Sequence, residues 1–151
     1  LKLSEKNLER LGVKNVLLKE DISDYSNEYF DRVLVDVPCS GLGTITKKPD
    51  IKWKRDISDI RKLNGLQYEL LCKGADLVKN GGILVYSTCS IEPEENFYIV
   101  KEFLNNHQNF KLLNANSHFD NNLLDENGCV QTYPHIHLID GSFASKLIRQ
   151  N

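Results

Sequence analysis

The chain has 151 residues, 40% of them apolar and 26% charged, with 19 basic against 21 acidic side chains and a formal net charge of −2. That composition excludes disordered and collagen-like classes, and the length suffices for one domain whose core closes without staples. No run approaches the roughly 20 consecutive apolar residues of a membrane helix and the start shows no signal-peptide pattern, so a cytoplasmic protein without membrane contact is expected, with nucleic-acid affinity confined to a local patch.

Leu3, Leu8 and Leu11, set among Lys, Glu and Asn, predict the end of an amphipathic helix with Gly12 as its C-cap. The chain lacks methionine and opens Leu1-Lys2-Leu3 already in helical pattern, so it is expected to be a piece of a longer protein. Residues 16–18 read as a short strand ending at Glu20-Asp21. Residues 30–37 read as a longer one, whose Val33-Leu34-Val35 run suits burial on both faces. Residues 38–49 form a loop with Gly41 and Gly43, and apolar residues from 56 to 78 recur at three- and four-residue spacing as a long helix stopped by Asn80-Gly81-Gly82. Residues 83–88 predict another buried strand. After it, Glu92-Pro93-Glu94-Glu95 places proline and acids at a helix start that runs to about Leu104. Residues 110–113, 130–133 and 143–148 complete the strands, separated by Asn-rich loops. The alternation of helices and strands predicts an α/β sheet with parallel strands.

The four cysteines, at 39, 72, 89 and 129, form no Cys-x-x-Cys pair and have no His at zinc-finger spacing, so no metal site is expected. Free, buried thiols are the default, and Cys72 and Cys129 are read as structural. Cys39 and Cys89 depart from that pattern, because each lies just beyond a strand and is flanked by Pro, Ser, Thr or Gly. Open α/β sheets bind ligands beyond the carboxyl ends of their strands, and the expected strand ends deliver Asp21, Asp36, Cys39 and Cys89 to one rim. Between residues 46 and 63 the basic side chains Lys47, Lys48, Lys52, Lys54, Arg55, Arg61 and Lys62 outnumber Asp50, Asp56 and Asp59. This patch contains Trp53, which either stacks on a base or packs beneath the loop.

Asp36-Val37-Pro38-Cys39-Ser40-Gly41-Leu42-Gly43, followed by Ser87-Thr88-Cys89-Ser90-Ile91-Glu92-Pro93-Glu94-Glu95-Asn96, resembles motifs IV and VI of the S-adenosylmethionine-dependent RNA cytosine-C5 methyltransferases. Lys48-Pro49-Asp50-Ile51-Lys52-Trp53 is similar to a segment of the RsmB (Sun-type) branch, which modifies small-subunit (16S) ribosomal RNA. Asp140-Gly141-Ser142-Phe143-Ala144 approximates the closing Asp-Gly-Phe-Phe-x-Ala, with Ser142 departing from it. The resemblance implies an α/β, Rossmann-like S-adenosylmethionine-dependent methyltransferase fold with a mostly parallel sheet. Residues 1–151 would be the C-terminal part of a single catalytic domain, without its N-terminal strands.

The resemblance further implies that Cys89 is the nucleophile adding to carbon 6 of the cytosine, that Asp36 holds the base's polar edge near the methionine end of the donor, and that Cys39 serves loss of the carbon 5 proton and release. It places Asp21 against the donor's adenine; a solvated turn acid beside Glu20 and Asp24 is the plain alternative. Lys48, Lys52, Trp53 and Arg55 become the RNA-binding candidates. The Gly-rich donor loop and the acid that holds the ribose are not in this sequence. Donor binding and activity are therefore expected of the longer protein, and a sheet edge normally paired by the first strand is expected to lie open. Two rival readings remain at this point: a DNA cytosine-C5 methyltransferase with Cys39 as nucleophile, and a noncatalytic RNA-binding module.

Overall fold

An aspartate starts the longest helix. Asp56 Oδ1 accepts hydrogen bonds from the Ser58 and Asp59 amides at 2.7 and 3.2 Å, and Asp59 reciprocates to the Asp56 amide at 3.3 Å, a capping box that satisfies amides with no partner inside the helix. The computed structural model describes residues 1–25, 29–54 and 56–151, with the side chains of residues 23, 24, 54 and 57 outside the description. Its helices are α1 (Lys2–Arg10), α2 (Ile51–Lys54), α3 (Ile57–Asp76), α4 (Phe97–Asn106) and α5 (Pro134–His137). The strands are β1 (Phe30–Asp36), β2 (Val78–Thr88), β3 (Phe110–Leu113), β4 (Val130–Thr132) and β5 (Ser142–Arg149). Among the described residues no helix is long and apolar enough to cross a membrane.

The strand order is β1-β2-β5-β3, with β4 also paired to β5. The β1–β2 pair is parallel, and β5 is antiparallel to β2, β3 and β4. Strands joined by a full helix, β1 to β2 through α3 and β2 to β3 through α4, share one direction, as a crossover connection requires. Only β5 is reversed. It follows β4 after a connection whose one helix, α5, has four residues and is too short to carry the chain across the sheet. The α/β class is as expected, but the sheet is mixed in its pairing rather than mostly parallel, because the one reversed strand lies among three of the others.

One face of the sheet is packed. Leu84 and Tyr86 of β2, with Phe143 and Leu147 of β5, meet Leu71 and Ala75 of α3 and Ile99, Val100 and Phe103 of α4 in one cluster. Alternation along β2 and β5 delivers these side chains to the same face. Gly74 lets α3 approach closely, since a Cβ there would overlap a Val35 methyl.

Two local readings are corrected. Residues 16–18 carry no strand: among the described residues no neighbouring strand supplies a ladder, and Val16 and Leu17 are 49% and 69% exposed. Helix α3 stops at Asp76 with Leu77 as its C-cap, and Asn80-Gly81-Gly82 lies within β2, where the register with β1 shifts between Phe30 and Arg32 and Gly81 takes φ 74°. The outer edge of β1 pairs with no strand among the described residues, and Leu34 is 66% exposed.

Gly74→Ala is expected to lower the urea midpoint. Overpacking against Val35 costs about 1–3 kcal/mol and opposes the ~1 kcal/mol gain in helix propensity. Adding Val35→Ala should recover part of the overpacking cost as a non-additive double-mutant cycle; purely additive effects would contradict the close approach.

Candidate active site

β1 and β2 end side by side. Asp36 pairs in register with Ser87, whose hydroxyl donates to Asp36 Oδ1 at 2.9 Å. The chain leaves β1 through Val37 and Pro38 to Cys39, and leaves β2 from Thr88 directly into Cys89. Cys39 Sγ and Cys89 Sγ stand 3.2 Å apart. Both are free thiols, well beyond the ~2.05 Å of a disulfide. Their surroundings differ, since Cys89 is exposed and Cys39 is half-buried. Burial first, and then the contact with Cys89, push the Cys39 thiol up to about 12, so at neutral pH Cys39 keeps its proton, and either sulfur can donate in the contact between them.

The residues flanking both thiols are anchored to the turn before α4. Ser40 donates through its amide to Glu95 Oε1 at 2.8 Å and through its hydroxyl to Oε2 at 2.5 Å. Ser90 Oγ donates to the same Oε2 at 2.5 Å. Gln67 of α3 donates one amide to Glu95 Oε1 and to the Pro38 carbonyl, both at 3.0 Å. Thr88 Oγ1 donates to Asn96 Oδ1 at 2.6 Å, and Asn96 Nδ2 donates to the Ser90 carbonyl and to Gln131. The Asn96 side chain is therefore not used to cap α4. Pro93 lies in a turn and the helix begins at Phe97, four residues later than expected; a helix dipole at Pro93 is not available to Cys89. Burial, and then the Glu94 and Glu95 carboxyls, push the Glu92 carboxyl above the usual carboxylate range.

A backbone contact closes the rim. The Gly43 amide donates to the Cys89 carbonyl at 3.0 Å, and the Gly141 amide donates to the Gly43 carbonyl at 2.8 Å. A Cβ on Gly43 would overlap the Gly141 carbonyl. Lys47 Nζ pairs with Asp140 at 2.6 Å, so Asp140-Gly141, read from sequence only as a family signature, holds the loop after Cys39.

The remaining candidates are more scattered. Asp21 follows no strand. It lines a cavity of about 380 Å³ along the outer edge of β1 with Ile22, Tyr25, Phe30, Arg32 and Leu34, apart from the two thiols. Lys48, Lys52 and Trp53 are exposed. Trp53 is 82% exposed, which rules out packing beneath the loop, and Lys52 Nζ lies 5.2 Å from its ring centroid. Arg55 lies outside the described residues. Cys129 is buried and pushed up to about 12 by burial, and Cys72 is half-buried on α3, raised chiefly by burial.

Sequence reasoning missed Glu95, Ser40, Ser90, Gln67 and Asn96 as partners of the thiol loops. One signal was present: Glu95, Ile99 and Phe103 are spaced by four, which puts the glutamate in line with the buried face of α4.

At about pH 8, iodoacetamide is expected to modify Cys89 ahead of Cys39, and modification of Cys39 should still climb between about pH 9 and 10.5, because a thiol held above its ordinary value is still gaining thiolate there. Equal rates at the lower pH would contradict the burial of Cys39.

The pattern of the 16S rRNA methyltransferase RsmB/F family matches residues 1–148. Ribosomal RNA small subunit methyltransferase B of Escherichia fergusonii is 38% identical over 149 residues, covering 95% of this chain and 33% of its own length. The crystal structure of PH0851 superposes with a TM-score of 0.87 at 38% identity, covering 98% of this chain and 34% of that one. NSun6 from Pyrococcus horikoshii, solved with SFG, gives a TM-score of 0.81 at 29% identity, covering 99% of this chain and 38% of that one. The chain thus spans about a third of the length of the curated relatives it matches. Its mixed sheet with flanking helices is part of a Rossmann-like methyltransferase fold. Matched across nearly its whole length, this chain belongs to the 16S rRNA methyltransferase RsmB/F family.

Proposed function

We propose that residues 1–151 form the C-terminal part of the catalytic domain of an S-adenosylmethionine-dependent RNA cytosine-C5 methyltransferase acting on small-subunit ribosomal RNA. The observation that carries this reading is the meeting of the Cys39 and Cys89 sulfurs at 3.2 Å, at the carboxyl ends of adjacent strands beside Asp36. Family membership and the names of the relatives support the substrate class.

Carbon 5 of cytosine is a poor nucleophile. Cys89, exposed at the rim, adds as a thiolate to carbon 6. A carbon–sulfur bond forms, the electrons of the 5,6 double bond move into the ring, and carbon 5 becomes enamine-like. Carbon 5 then takes a methyl group and gives its proton to water at the open rim, and the returning electron pair breaks the carbon–sulfur bond and expels Cys89 as a thiolate. Asp36, exposed and already accepting from Ser87, hydrogen-bonds the polar edge of the base. Cys39, 3.2 Å away and still carrying its proton, hydrogen-bonds the departing Cys89 thiolate, which is its part in the proton-loss and release stage. Its burial favours Cys89 over Cys39 as the attacking sulfur and so disfavours the DNA-enzyme arrangement.

When bound, S-adenosylmethionine supplies the methyl group as an electrophile on sulfonium. The residues present fit such a donor laid along the β1 edge: the cavity beside Asp21, lined by Tyr25, Phe30 and Leu34, suits the adenine end, and the Asp36 carboxyl suits the methionine end. NSun6 from Pyrococcus horikoshii, a structural relative, is solved with SFG. Lys48, Lys52 and Trp53 offer charge and an open ring to an RNA strand whose target base is turned out into the site.

Incubating the full-length protein with methyl-labelled donor and small-subunit ribosomal RNA is expected to place label in 5-methylcytidine. Cys89→Ala should lower transfer by at least about a thousandfold, and Cys39→Ala should leave a denaturation-resistant RNA–protein adduct. Transfer surviving in Cys89→Ala would exchange the two cysteines. RNA binding without any transfer would leave a noncatalytic module.

A further inference from the structure

Glu95 has no part in the chemistry above, yet it is fully buried. Its carboxyl has no cation against it among the described residues and is satisfied by neutral donors: the Ser40 amide and hydroxyl, the Ser90 hydroxyl and the Gln67 amide. Burying a carboxyl in this way is tolerable only when its lone pairs are filled. Two of the donors have a special location. Ser40 adjoins Cys39 and Ser90 adjoins Cys89, and both hydroxyls converge on one oxygen, Oε2, at 2.5 Å each. Gln67 ties the same carboxyl to the Pro38 carbonyl on the other side of Cys39. The main chain of Glu95 is fixed in turn, because Tyr86 in the core donates to its carbonyl at 2.6 Å.

We propose that Glu95 is a positioning residue that sets the separation of the Cys39 and Cys89 sulfurs by drawing the two thiol-bearing loops onto one carboxyl oxygen. Its catalytic meaning rests on the methyltransferase reading; its structural meaning does not. Without the carboxyl, Ser40 and Ser90 lose their common acceptor, and the loops are held near each other only by the Gly43–Cys89 backbone bond and the direct Ser40–Ser90 contact at 3.2 Å. The sulfurs then sample a wider range of separations. Glu95→Gln is the conservative variant: its carbonyl oxygen still accepts from the Ser40 and Gln67 amides, while its NH₂ group must reverse the direction of both serine bonds.

The test measures thiol proximity directly and apart from turnover. The full-length protein is equilibrated in glutathione buffers and the Cys39–Cys89 disulfide is quantified by peptide mass spectrometry. Each disulfide formed takes two electrons from the two protein thiols and reduces one oxidised glutathione to two reduced molecules, so the equilibrium constant reports how well the fold holds the sulfurs together. Glu95→Ala is expected to lower that constant at least about tenfold, Ser40→Ala by several-fold, and Glu95→Gln to fall between Glu95→Ala and the parent. Val100→Ala, a core truncation on α4 away from the serines, should leave the constant within about twofold.

Ser40→Ala keeps the test alive if Glu95→Ala does not fold, because the Ser40 amide still reaches the carboxyl. The proposal is overturned if the parent forms no such disulfide in the most oxidising buffer, or if Glu95→Ala and Ser40→Ala lower the constant no more than Val100→Ala does. In methyl transfer, Glu95→Gln should lower kcat with KM nearly unchanged. Should the parent transfer no methyl group while the disulfide constants follow the expected order, the positioning role stands and the methyltransferase reading alone fails.

Discussion

One buried carboxyl ties together three segments that are distant in sequence. Glu95 accepts from the loop after β1, from the turn after β2 and from the side of α3. None of those donors is charged, so each one removed leaves a lone pair of a buried carboxyl unfilled. The two loops that carry cysteines are therefore interdependent: neither reaches its observed path without the glutamate that the other also uses. The paired strand ends bring the loops close, and the carboxyl fixes them at hydrogen-bond distance. The 3.2 Å separation of the sulfurs follows from both.

Burial gives the two thiols different surroundings. Cys39 is half-buried, retains its proton and faces the sulfur of Cys89, whereas Cys89 is exposed at the rim. The enclosure of Cys39 depends on backbone packing as much as on side chains. The loop that follows it lies on the Cys89 carbonyl and on Gly141, with room for hydrogen alone at Gly43. Lys47 and Asp140 close the same contact from outside. The C-terminal signature thus belongs to the site through the Gly141 amide and the Asp140 carboxyl.

Much of this was legible in the amino-acid order, for identifiable reasons. The three- and four-residue spacing within α3 marks a helix that the structure begins at Ile57. The two motifs name Asp36, Cys39 and Cys89 and the strand ends that bring them together. Where the reading failed, the deciding contacts were remote in sequence. Val16, Leu17 and Leu18 have strand chemistry but no neighbouring strand among the described residues. The direction of β5 follows from a connection too short to cross the sheet, which the alternation of elements does not reveal. The start of α4 moved from Pro93 to Phe97 because Asn96 serves Thr88, Ser90 and Gln131 rather than the helix end. Glu95 reads in sequence as one of the acids of a helix start, because its partners lie 5, 28 and 55 residues away.

In the proposed reaction Cys89, held against a protonated Cys39, is the sulfur that attacks the base. Its most direct test is to trap the full-length protein on RNA containing 5-fluorocytidine in the presence of the methyl donor, trim the RNA with nuclease, and map the nucleotide mass onto peptides. The nucleotide is expected on the peptide that contains Cys89, with Cys39 unmodified; a nucleotide carried by Cys39 would contradict attack by Cys89.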